Sequence, residues 1–98
     1  MIRHTVAFSL KHAPGSPSEK SFLDAGQMLA AIPGVEKFER LRQVGAKNSF
    51  TFGFSMEFAD HKAYQDYNQH PNHVRFVQER WMSEVADFLE IDYEPLAT

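Results

Sequence analysis

The sequence predicts an α+β fold of order βαββαβ, with two helices lying on one face of a four-stranded antiparallel sheet. Three observations predict it. Residues 2–11 and 49–58 alternate apolar and polar side chains with a period of two, as strands with one buried face do. Two other stretches, 17–32 and 61–89, repeat apolar residues at helical spacing. Breakers separate these segments at Pro14-Gly15, Pro33-Gly34 and Gly45.

The first strand puts Ile2, His4, Val6, Phe8 and Leu10 on one face and Arg3, Thr5, Ala7, Ser9 and Lys11 on the other. After the loop 13–17, Ser16 is a helix cap, Pro17 the first helical residue and Glu19 the residue three beyond the cap. Phe22, Ala25, Met28, Leu29 and Ile32 form that helix's apolar stripe, and Pro33-Gly34 ends it. Residues 35–44 place Val35, Phe38, Leu41 and Val44 three apart, a helical period. The flanking breakers and the strong strand that follows favour a strand. In residues 49–58, Phe50, Phe52, Phe54, Met56 and Phe58 share a face. Asp60 caps a short helix with Tyr64 and Tyr67 on one side. Pro71 opens a further helix with His70 at its cap, and Val74, Val77, Trp81, Val85, Phe88 and Leu89 form its stripe. Residues 90–94 read as the last strand, closed by Pro95. This order is the split-βαβ, ferredoxin-like pattern.

The bulky face, with Phe8, Phe50, Phe52 and Phe54, is expected to meet the helices. The opposite face offers Thr5, Ala7, Ser9, Thr51, Gly53 and Ser55, which are small and weakly polar. Small residues let a second sheet approach to roughly 10 Å, so a homodimer built face to face into a dimeric α/β barrel is expected.

At 98 residues the chain is expected to be one domain, 1–98, with 43% hydrophobic and 23% charged residues, ordinary values for a globular protein. The net charge of −3 and the absence of a basic run give nucleic-acid binding no electrostatic support. The lack of cysteine excludes disulfides, thiol nucleophiles and thiolate metal sites. No stretch suits a signal peptide or a membrane span, so a cytoplasmic location is the expectation.

The chemistry-bearing segment is Asp66-Tyr67-Asn68-Gln69-His70-Pro71-Asn72-His73-Val74-Arg75-Phe76. Together with Ile2-Arg3-His4 and Asp92-Tyr93-Glu94-Pro95, its Tyr-x-x-His-Pro-x-His-x-x-Phe run resembles the stress-responsive dimeric α/β-barrel (Dabb) family over nearly the whole chain. The best-understood chemistry in that family belongs to a plant polyketide cyclase, which closes a poly-β-ketone ring by an aldol step without a cofactor. The resemblance implies His73 and Tyr67 as a catalytic pair, with His4 and Asp92 supporting the pocket. It also implies a cofactor-independent cyclase or lyase on a polyketide-like or β-dicarbonyl substrate, or a small apolar or aromatic ligand. The alternative is a non-catalytic dimeric stress-response or ligand-binding protein.

Elementary chemistry agrees with these roles. A helix start and an apolar wall both favour a neutral imidazole at His73, the form a general base needs. Tyr67 would donate to a carbonyl or enolate oxygen. His70 reads as a cap and Trp81 as core. His70 and His73 flank Pro71 at a spacing of three, which is not the i, i+4 arrangement of helical zinc sites, so no metal is expected.

Overall fold

Residues 1–97 are described by a computed structural model. Strands β1 (Ile2–Leu10), β2 (Glu36–Arg42), β3 (Phe52–Phe58) and β4 (Val85–Tyr93) form one antiparallel sheet in the order β2-β3-β1-β4. Helices α1 (Pro17–Gln27), α2 (His61–Gln69) and α3 (71–84) cover one face, and the fold is ferredoxin-like. A tight 3-10 turn, Met28–Ala31, extends α1. Helix α3 consists of an α-helical segment Pro71–Phe76, a π-helical turn Val77–Trp81 and a last turn Met82–Glu84.

The expected caps form. Ser16 Oγ accepts from Glu19 N at 3.2 Å, Asp60 Oδ1 from Ala63 N at 2.8 Å, and His70 Nδ1 from Asn72 N at 3.1 Å. Gly34 follows Pro33 at a φ of 90°, a conformation that only glycine adopts without strain.

The core lies between helices and sheet. Ile2, His4, Val6 and Phe8 are buried from β1, and Phe52, Phe54, Met56 and Phe58 from β3, as the alternation requires. Phe22, Leu29 and Ile32 close over them, and Phe8 packs 4.8 Å from Phe54 and 5.1 Å from Trp81 between ring centroids. Gly26 of α1 is there for space: a Cβ would lie 2.5 Å from Phe54 Cζ.

Four expectations need correction. The last strand begins at Val85 rather than Glu90, so Val85, Phe88 and Leu89 belong to β4 and not to a helical stripe. Helix α3 stops at Glu84, whose carbonyl accepts from Lys11 N at 2.9 Å, and Val85 then pairs with Leu10. Pairing along all of β1 outweighs a local spacing that fits either period. Phe50 precedes β3 and is only partly buried, so the inner face of that strand starts at Phe52. Met28, at 71% exposure, and Val74, at 38%, lie outside the stripes assigned to them.

Candidate functional site

The site grows from the break between α2 and α3. His70 precedes a proline and is therefore held extended (φ −64°, ψ 135°), which ends α2. The chain turns and restarts at Pro71, and in the first turn of α3 the half-buried His73 folds back over α2. Its Nδ1 donates to the carbonyl of Asn68 at 3.1 Å, which fixes the tautomer and leaves Nε2 as the basic atom. The His73 ring packs at a tilt against that of Tyr67, 4.5 Å between centroids, and Tyr67 is itself 2% exposed.

Burial chiefly pushes the His73 imidazole below its ordinary value of 6.5. The charge of His4 adds to that fall, while the Asn68 carbonyl and Glu90 oppose it. Burial raises the Tyr67 hydroxyl well above 10, with lesser contributions from Tyr64 and Glu90. At neutral pH the pair is therefore a neutral base beside a neutral donor.

The second half of the site is built by strand register. His4 of β1 stands directly opposite Asp92 of β4. His4 Nδ1 donates to Asp92 Oδ1 at 2.6 Å, and the Tyr64 hydroxyl donates to Asp92 Oδ2 at 2.8 Å while lying 3.0 Å from His4 Nδ1. Burial, then the Asp92 carboxylate, raises the Tyr64 hydroxyl far above its usual value. The His4 ring centroid is 6.4 Å from that of Tyr67, so the two halves meet.

Beside them lies a cavity of about 580 Å³ between sheet and helix α3, a size suited to a small organic ligand. Val6, Phe54, Met56, Phe76 and Trp81 give it apolar walls, and His4, Tyr67 and His73 give it polar points. Among the described residues no buried side-chain nitrogen or oxygen lacks a partner. The Tyr67 hydroxyl and His73 Nε2 take no hydrogen bond among the described residues, and both residues line the cavity.

All four residues expected at the site, His4, Tyr67, His73 and Asp92, thus gather in one cluster. Asp92 stands behind His4, its side chain 42% exposed, and does not line the cavity. His70 is a cap. Tyr64 and Glu90 were missed as site residues. Tyr64 precedes Tyr67 by one helical turn and Glu90 precedes Asp92 by one strand repeat, so each shares a face with a residue that was found. No three His, Asp or Glu side chains among the described residues converge to hold a metal ion. No helix among them is long and apolar enough to cross a membrane.

The family described as Stress responsive A/B Barrel Domain matches residues 2–95. No curated protein matches the chain. A Dabb family protein of ferredoxin-like fold from Mesorhizobium loti is 61% identical, aligns over 98% of this chain and 97% of that one, and superposes with a TM-score of 0.96. A hydroxynitrile lyase from Passiflora edulis is 14% identical, with 99% of this chain and 94% of that one covered at a TM-score of 0.83. A dimeric ferredoxin-like protein from Thermobifida fusca is 21% identical, with 94% and 88% covered at a TM-score of 0.75. The last two likenesses are of fold alone.

Proposed function

The chain belongs to the stress-responsive A/B barrel family, and from that premise we propose that it is a homodimer in which each protomer binds a small, largely apolar carbonyl compound and moves a proton next to the carbonyl. His73 is the general base, Tyr67 the donor to the developing oxyanion, and His4 with Asp92 supports the pocket wall. One observation carries this reading. A histidine with its Nδ1 held by the Asn68 carbonyl and its Nε2 free lies 4.5 Å, ring to ring, from a buried tyrosine on the wall of a largely apolar cavity.

The chemistry follows from the two groups. Nε2 takes the proton from the carbon between two carbonyls, and the electron pair moves onto oxygen as an enolate. The Tyr67 O–H donates to that oxygen. Attack of the enolate carbon on a third, more distant carbonyl of the same molecule closes a ring, and the imidazolium returns its proton to the resulting alkoxide. That sequence is a cyclase or, run backwards, a lyase, and it calls on no cofactor.

The dimer rests on the uncovered sheet face. Thr5, Ala7, Gly53 and Ser55 are small there, and Leu41, Leu89, Ile91 and Tyr93 are 40–52% exposed around them.

The test is protein-dependent exchange of the α-protons of a β-keto thioester in D2O, followed by NMR. His73→Ala should lose about 10²–10⁴-fold of the rate, Tyr67→Phe less, and His70→Ala almost none. A His73→Ala protein that is folded by circular dichroism and exchanges as fast as the wild type overturns the base assignment. Saturable binding without exchange would instead identify a dimeric ligand-binding protein.

A further inference from the structure

Resting on the reading of the cavity as a ligand site, we infer that it selects by charge: it takes neutral or cationic carbonyl compounds and disfavours carboxylates, with Glu90 as the selecting residue. Glu90 lines the cavity, and none of its lining residues is a lysine or arginine.

Strand register explains why Glu90 is there and unpaired. On β4 the residues facing the helices alternate as Phe88, Glu90 and Asp92. Asp92 meets His4 and Tyr64. Glu90, one repeat away, stands opposite Val6, which offers it nothing. Among the described residues Glu90 enters no ion pair, whereas Arg80 of α3 is engaged by Glu84 at 2.5 Å. Glu90 is close enough to the polar cluster that its charge bears on Tyr64, Tyr67 and His73 together.

A ligand whose carbonyl reaches Tyr67 and His73 thus lies in a negative field. An anionic end meets repulsion with no counter-ion, which at a partly wet site is worth about tenfold in affinity. A cationic or hydrogen-bond-donating end meets an acceptor.

Three ketones that share one ring and one acetyl group test this: 4-methylacetophenone, 4-acetylbenzoate and 4-(aminomethyl)acetophenone, titrated by NMR at low and high salt. The benzoate is expected to bind about tenfold more weakly than the neutral ketone and the amine at least as tightly as it, with both differences shrinking in salt. Glu90→Gln should bring the benzoate close to the neutral ketone. Equal binding of all three by the wild type overturns the charge rule and leaves the cavity reading standing. A benzoate penalty that survives in Glu90→Gln also overturns the rule. Failure of every ketone to bind overturns both.

Discussion

On the side of the sheet beneath the helices, β1 and β3 present Phe8, Phe54 and Met56, all at most 2% exposed; on the other side the same strands present Thr5, Ala7, Gly53 and Ser55. Two different demands are met by one alternation. Beneath the helices, volume decides: rings fill the layer, and where the filling stops a cavity with polar points remains. On the other face, flatness decides. Gly53 is the clearest case, since a Cβ there would come within 3.3 Å of the Val6 carbonyl. The lesson is that one alternation can keep a face flat by the absence of side chains while it fills the other by their presence.

The largest expected effect breaks the flat face. Ile91→Lys sits on a residue already 40% exposed in the protomer, so it should leave the protomer folded. In a face-to-face dimer it buries two unpaired charges by symmetry, at several kcal/mol each, and light scattering should show monomers at micromolar protein. A wild-type monomer under the same conditions would remove the contact role from that face altogether.

Next comes the filled face. Phe8→Ala removes a ring packed against Phe22, Phe52, Phe54 and Trp81, and chemical denaturation should register a loss of about 3–5 kcal/mol. Gly26→Ala sharpens the same point from the other direction. Alanine is the better helix former, yet its Cβ meets the end of the Phe54 ring, so the variant should be less stable by about 1–3 kcal/mol. A stabilised Gly26→Ala protein would show that the layer has slack.

The smallest effect is at the hollow end. His73 resists protonation when folded, so the unfolded chain takes up its proton first, at the ordinary value of 6.5. Its contribution to stability is complete above that value and is lost as pH falls toward the lowered folded value. Acidifying from about pH 7 to about pH 5.5 should lower the melting temperature of the wild type more than that of His73→Gln. An equal drop in both would place the acid sensitivity elsewhere.

Most of this was legible where one strong signal acted alone. The alternation of β1 and β3 and the caps at Ser16, Asp60 and His70 needed no tertiary knowledge. What was misread lies where two periods fit the same residues. Val85, Phe88 and Leu89 satisfy helical spacing, and only the neighbouring β1 makes them a strand. The site divides in the same way. Tyr67 and His73 are six residues apart across one turn, and their meeting follows from Pro71. Asp92 reached His4 on paper only through a family resemblance, because a register between strands at the two ends of a sequence has no local signature. Tyr64 was assigned to a helix face but not to a network, since its partner comes from that same distant strand.

The pairing of β1 with β4 also sets an order of events during synthesis. His4 and Asp92 are 88 residues apart, and β1 lies inside the sheet with β4 as its outer neighbour. A growing chain made at about 5–20 residues per second keeps the outer side of β1 unpaired until Val85–Tyr93 has emerged. Until then the hydrogen-bonding edge of β1 is open to any other extended chain, and closing it requires a long loop between Leu10 and Val85, a slow step in folding. The strand that completes the site is therefore also the one that ends the period of greatest exposure to aggregation.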